Sequence, residues 1–257
     1  MSNQEDFQYW VTSLEENIFW LRLNRLDKKN AFNPAVLDEL GKILTEAKGN
    51  SEIRVMAISS TSDEFLSSGA DIKWFMNVGE NLGIEASRRI QEVFGMLEEL
   101  PYPVIFATKG LNLTAGFELM LASDIVIAAD NSKLGQIETR WALTPGGGGT
   151  QRLTRHVGVL KAKEIIYTAK IFDAKEAKEI GLVNHVVPVD QLDEKVRAIA
   201  QKIIAKTPNA IRDAKYLLNK SFYPAYEGFK EEQKIFGKRF GSGEPRQLFK
   251  DFVKKNE

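Results

Sequence analysis

The sequence contains no cysteine. Disulfides, iron–sulfur clusters, thiolate zinc sites and cysteine nucleophiles are therefore excluded together, and the absence fits a reducing cytosol. Histidine is almost as scarce. With His156 and His185 alone, a multi-histidine metal site cannot form, and any histidine-dependent triad must use one of these two. No apolar run approaches the ~18 residues of a membrane-spanning helix. The opening MSNQEDFQYW lacks the basic and apolar stretches of a secretory signal. Net charge is missing as well: 35 basic side chains meet 35 acidic ones, so no global field favours nucleic acid or an anionic membrane. These absences predict a soluble cytoplasmic protein with no metal, no nucleic-acid partner and no membrane partner. Carboxylates, lysines and backbone groups are left to carry any chemistry.

What is present is ordinary for a globular protein, with 43% apolar and 27% charged residues over 257 positions. The opening reads as strands, with Tyr9 and Val11 alternating with polar neighbours and Ile18, Trp20, Leu21 and Leu23 forming a β-rich run. Asn33 and Pro34 suit a helix cap and first position, and Val36, Leu37, Leu40, Ile43, Leu44 and Ala47 recur at helical spacing up to Gly49. Val55 to Ile58 has the composition of a buried strand and is followed by a polar loop. The pattern repeats: a helical stretch over 84–100, a buried strand at Val104–Ala107, a glycine-containing loop, a short helix from Gly116 and a strand at Ile125–Ala128. Strands alternating with helices predict a parallel sheet joined by crossovers. Beyond the glycine run at 146–149 helical patterns dominate. Asp173 and Gly181 bracket one short helix, Val183–Val187 is strand-like, and helices are expected over 190–206, 208–221 and 224–240. The expectation is one continuous structural unit, with an α/β body over 1–189 and a helical region over 190–257.

Three stretches could carry chemistry. FLSSGADIK runs from a small-residue loop into a helix, where amides can face a ligand closely; the plainer reading is a loop capped by Asp71. KGLNLTAGFEL leaves a buried strand and starts a helix, so the amides near Ala115 and Gly116 lie at a positive helix end. Its plainer reading is a tight connection with Glu118 as a favourable first-turn charge. In LGQIETRW, a carboxylate among apolar neighbours, Glu138, could be a proton-transfer group of raised pKa, although a surface glutamate has the same local look. The glycine run fits neither common phosphate motif: no lysine follows its last glycine, and it does not sit in a strand–GxGxxG–helix unit. His156 and His185 read as structural.

The order and spacing of FLSSGADIK, KGLNLTAGFELMLASDIVIA, KLGQIETRWALTPGGGGTQRL and AKEAKEIGLVNHVVP resemble the crotonase (enoyl-CoA hydratase/isomerase) superfamily. The resemblance begins near NRLDKKNAFN and covers almost the whole chain. It implies a spiral of ββα units with a C-terminal helical region that makes trimers, two of which often stack into a hexamer. It also implies an acyl-CoA thioester substrate and no further cofactor. Carried over residue by residue, it assigns the oxyanion-hole amides to Ala70 and Ala115, the two carboxylates of hydratases to Glu118 and Glu138, and a water-orienting amide to Gly146. Lys73, Ser68, Phe252 and Lys255 are assigned to CoA, the last two from a neighbouring subunit. Glu118 is expected to be the base on water and Glu138 the acid.

Two departures stand out. Thr114 replaces the glycine that usually opens its segment, and a threonine enters positive φ with difficulty. Trp141 stands where an aliphatic residue is usual; facing the acyl pocket, it would favour a cyclic or short-branched acyl group, whereas packed inward it is simply core. Hydration across a 2,3 double bond is the leading activity. A Δ3,Δ2-enoyl-CoA isomerase, which can work with one carboxylate, a hydrolase of the same fold, and a non-catalytic acyl-CoA- or RNA-binding relative are the alternatives.

Overall fold

The structure is a computed structural model that describes residues 7–75 and 79–220. Contacts divide the chain into two compact units, 1–205 and 206–257. In the first, a six-stranded sheet has the order β1-β2-β3-β5-β7-β10 and a four-stranded sheet the order β4-β6-β8-β9. The opening hairpin pairs β1 (Trp10–Glu15) antiparallel with β2 (Ile18–Leu23), and β2 then lies parallel to β3 (Val55–Ser60). From β3 onward the chain makes successive turns. Each places one strand in the large sheet, one in the small sheet, and then a helix.

The first turn is β3, β4 (Phe65–Ser67), then helices α2 (Ile72–Phe75) and α3 (Glu80–Glu98). The second is β5 (Val104–Thr108), β6 (Leu111–Leu113) and α4 (Ala115–Leu121). The third is β7 (Ile125–Ala129), β8 (Lys133–Gly135), a 3-10 turn (Glu138–Trp141), α5 (Gly149–Val157) and α6 (Val159–Thr168). Strand β9 (Ile171–Asp173), helix α7 (Ala174–Glu179) and strand β10 (His185–Val187) close the series, and α8 (Leu192–Ile204) comes next. This is the ββα spiral of the crotonase fold.

Why the strands form here is visible in their burial. All six residues of β3 and all five of β5 are buried. Met56, Ile58, Val104 and Phe106 face one core cluster with Phe32, Phe94 and Phe117, while Val55, Ala57, Ile105 and Ala107 face another. That second cluster is completed by Leu192, Val196 and Ala200 of α8. Both sheet faces are covered, so these strands read as unbroken apolar runs rather than as alternating ones. Each fully buried Val or Leu contributes roughly 1.5–3 kcal/mol, which is why α8 belongs with the sheet. The compact unit accordingly ends at Ala205, past the boundary at 189 drawn from sequence.

Helix α1 (Pro34–Lys48) begins as expected, with the Asn33 side chain accepting from the Val36 N–H, and it buries Val36, Leu37, Leu40, Ile43, Leu44 and Ala47. Asp173 caps α7 by accepting from the Glu176 N–H at 2.9 Å. In the second unit the described part is one helix, α9 (Pro208–Lys220). The expected helix 224–240 lies outside the described residues. No described helix is long and apolar enough to cross a membrane.

Candidate active site

The small sheet assembles the site. Its strands β4, β6 and β8 are parallel neighbours, so the segments leaving their C-terminal ends converge although they are far apart in sequence. These segments carry Ala70, then Thr114, Ala115 and Glu118, then Gln136 and Glu138.

After β4 the chain turns through Gly69 at φ +112°. The turn is pinned to Phe32, whose N–H donates to the Gly69 carbonyl at 2.8 Å and whose carbonyl accepts from the Asp71 N–H at 2.7 Å. Asp71 also takes the Arg25 guanidinium at 2.9 Å and the Lys73 N–H at 3.1 Å, which fixes the start of α2. After β6, Thr114 adopts φ +44° and ψ −115°, a region that strains a β-branched residue. Its Oγ1 accepts from the Ala70 N–H at 3.3 Å. A Cβ on Gly69 would lie 1.8 Å from that hydroxyl oxygen, so the close approach requires glycine. Ala115 is the first residue of α4, and its N–H has no partner within the helix by position. The two amides singled out from sequence thus lie on either side of Thr114.

Glu118 projects from the first turn of α4 and is 2% exposed. Its Oε1 accepts from the Gly147 N–H at 2.8 Å and the Gly149 N–H at 2.9 Å. The glycine run is thus a cradle for the protein's own carboxylate. A Cβ on Gly147 would sit 2.6 Å from Glu118 Oε2, and one on Gly149 2.8 Å from Oε1 and 2.7 Å from Gln136 Oε1. The cradle is held from behind by Arg152, whose Nη1 donates to the Gly147 carbonyl at 3.0 Å while Nε and Nη2 form a two-pronged pair with Glu98, each at 2.9 Å. The Gly146 carbonyl accepts from Ser87 Oγ at 2.6 Å and Gln91 Nε2 at 2.8 Å. Its own N–H has no protein acceptor among the described residues.

Glu138 opens the 3-10 turn after β8. Its Oε1 accepts from Gln136 Nε2 at 2.6 Å, whereas its buried Oε2 and Gln136 Oε1 have no partner among the described residues. Burial first, then the charge of Glu138, push the Glu118 carboxyl up to about 8 against the pull of the Gly149 and Gly147 amides and of Arg152. Burial raises Glu138 to about 7, against its own backbone N–H and Gln136. Both carboxyls are thus raised toward neutral pH, each chiefly by burial, and Glu118 also by the charge of Glu138.

The remaining candidates are more scattered. Lys73 is exposed on α2 and Ser68 half-buried on the loop after β4, its N–H given to the Lys29 carbonyl at 2.9 Å. Trp141 is 62% exposed, so it is not core; the burial reading fails because the 3-10 turn that carries it has no buried residue. Phe252 and Lys255 lie outside the described residues. His156 Nε2 pairs with the Leu121 carbonyl at 3.0 Å, a structural contact. Among the described residues no cluster of ligands suits a metal ion. Gly147, Gly149, Gln136, Arg152, Ser87 and Gln91 were not singled out from sequence. The signal for the first two was the glycine run itself, once phosphate was excluded.

This chain and its fold have counterparts among known proteins. The family described as Enoyl-CoA hydratase/isomerase matches residues 13–257. A putative enoyl-CoA hydratase/isomerase of Bacillus subtilis, YngF, is 38% identical over 245 residues, spanning 95% of this chain and 94% of the relative. The crotonyl-CoA hydratase of Syntrophomonas wolfei is 34% identical over 248 residues, spanning 96% of this chain and 95% of its own. The crystal structure of an enoyl-CoA hydratase from Bacillus anthracis superposes with a TM-score of 0.91 at 36% identity, covering 96% of this chain and 97% of that one. The protein belongs to the enoyl-CoA hydratase/isomerase family.

Proposed function

We propose that this protein is a hydro-lyase that adds water across the 2,3 double bond of an acyl-CoA thioester. The observation that carries this reading is the pair of carboxyls, the buried Glu118 and the half-buried Glu138, both raised toward neutral pH. Hydration needs a proton removed from water and another delivered to Cα of one small substrate, and two groups poised near the working pH can do both. The Ala70 and Ala115 N–H groups bind the thioester oxygen as it gains enolate charge, a contribution for which one lost donor costs about 10²–10³ in rate in other enzymes. Thr114 Oγ1 yields the Ala70 amide when the thioester oxygen arrives.

The hydrogen bonds divide the roles. Glu118 accepts two amide protons on one oxygen, which supports its anion and suits it as base. Glu138 Oε2 has no donor, so a proton resting there is free to be delivered. The order of the two acidities, with Glu118 the weaker acid, runs against this split. The hydrogen-bond pattern supports the split all the same, because two amides on one oxygen stabilise the Glu118 anion once its proton has left. The Gly146 N–H, next to the cradle, orients the attacking water.

Lys73 and Ser68, with Phe252 and Lys255 of a neighbouring subunit, hold CoA, and no other cofactor takes part. Trp141 borders the acyl end, favouring a short acyl group, cyclic or branched included. The protein works as a homotrimer or dimer of trimers in the cytoplasm. The test is the ultraviolet loss of a conjugated thioester with crotonyl-, longer, branched and cyclic enoyl-CoAs and a β,γ-enoyl-CoA, with product masses recorded. Gain of one water supports the reading. Binding without hydration refutes it, and turnover of the β,γ-substrate alone assigns an isomerase.

A further inference from the structure

The peptide between residues 146 and 147 has two ends with different tasks. Its N–H belongs to Gly147 and donates to Glu118 Oε1 at 2.8 Å. Its C=O belongs to Gly146 and accepts from Ser87 Oγ at 2.6 Å and Gln91 Nε2 at 2.8 Å. Ser87 and Gln91 stand one turn apart on α3, and Gln91 Nε2 also donates to Ser87 Oγ at 3.1 Å. Every donor proton in this cluster has an acceptor. The glutamine amide has two protons, one for the carbonyl and one for the serine oxygen; the serine proton goes to the carbonyl; and the carbonyl's two lone pairs are both used.

A glycine-rich loop is the part of a chain least able to hold a peptide plane by itself. We infer that Ser87 and Gln91 are positioning residues for Glu118, locking the 146–147 peptide so that its N–H faces the carboxylate. Two donors on the carbonyl also polarise the peptide and strengthen the N–H at its other end. The 148–149 peptide, which carries the other donor, is held separately, its Gly148 carbonyl accepting from the Gln151 N–H at 3.1 Å and the Arg152 N–H at 2.9 Å, so the lock acts on one amide of the cradle and leaves the other. This assignment rests on Glu118 being the base, but the geometry that defines it does not depend on which reaction is run.

The charged groups that act on Glu118 are Glu138 from the turn after β8 and Arg152 from α5; α3 brings the apolar Ile90 against Gly147. Neither Ser87 nor Gln91 is charged. Removing them therefore tests hydrogen bonding without altering the local charges.

The experiment compares wild type with Ser87→Ala, Gln91→Met, the double variant and Ser87→Thr. The Glu118 carboxyl is followed by NMR of protein carrying carbon-13 in its glutamate side chains, the resonance being identified by its loss in Glu118→Gln. Weakening one of two amide bonds to the carboxylate should move its titration upward by about one pH unit in the double variant. The acid limb of kcat against pH should move with it, with kcat near neutral pH falling up to about tenfold and KM changing little. Ser87→Ala should have the larger single effect, because Gln91 is exposed and water replaces its bond. Ser87→Thr, which keeps the hydroxyl, should restore the wild-type titration. An unmoved titration in the double variant overturns the inference, even if activity falls, and so does a threonine variant that behaves like the alanine one. If the wild type hydrates no enoyl-CoA, the proposed function fails while the titration still decides this point.

Discussion

Replacing Glu118 by glutamine should make the protein more stable as pH rises. The carboxyl is buried and pushed up to about 8, against an unfolded value near 4.5. Between those values the folded chain holds a proton that the unfolded chain has released, so stability falls with rising pH through this window. Below about 4.5 both states are protonated and nothing is lost. Summing the linkage between pH 5 and pH 8 gives roughly 3–4 kcal/mol from this one group, at about 1.4 kcal/mol per pH unit with both ends of the curve flattened. Glutamine has nearly the same shape, its carbonyl can accept the Gly147 and Gly149 amides, and it does not titrate. For a chain of this size each kcal/mol moves Tm by about 2–4 °C. The Tm advantage of Glu118→Gln over wild type should thus grow by roughly 10 °C from pH 5 to pH 8. Thermal melts by circular dichroism in a constant-ionic-strength buffer series measure this directly. Parallel Tm curves for the two proteins would refute the placement of an ionisable group in this buried cradle at such a pKa, as would a variant that loses stability relative to wild type on going from pH 5 to pH 8.

Glu138→Gln should lower kcat by about 10²–10⁴ while acyl-CoA binding, read by calorimetry, stays close to wild type. Gly147→Ala and Gly146→Ala should part company: the first drives a methyl to 2.6 Å from Glu118 Oε2 and 2.7 Å from Ile90, whereas the second meets Ser87 no nearer than 3.7 Å. Gly147→Ala should therefore cost more than about 2 kcal/mol in urea unfolding, and Gly146→Ala about half a kcal/mol or less. At Thr114, glycine should be more stable than alanine by about 1 kcal/mol, because both lack the hydroxyl and only glycine is at ease at positive φ.

Much of the architecture is legible in local pattern. The covered strands β3 and β5 announce themselves as apolar runs, and α1 and α7 carry their caps in the sequence. The place of helix α8 is harder to read, because nothing in its amphipathic pattern says whether its apolar stripe meets the sheet. Glu138 stood out by its apolar neighbours, but it was paired with Glu118 through family resemblance, since a lone glutamate in either segment looks like any other. The glycine run shows why the rest was hidden. Its partner is a side chain 29 residues earlier, so the acceptor that explains these glycines lies in another turn of the fold. Ser87 and Gln91 were equally silent, because polar residues four apart on an amphipathic helix read as a solvated face. Thr114 was the reverse: the sequence flagged a residue ill-suited to positive φ, and the structure places it there.

The arrangement of the small sheet also divides labour along the chain. On the proposed function, the segments leaving β4 and β6 meet the thioester, and the strip after β8, from Gln136 to Gly149, brings in the second carboxyl and the loop that holds the first. Substrate activation and the first carboxyl thereby come from the upstream segments, and the second carboxyl, with the loop that sets the first, from a downstream one. A chain built this way can exchange its downstream strip and acquire a new reaction, while the amides that make any acyl-CoA reactive stay where they are.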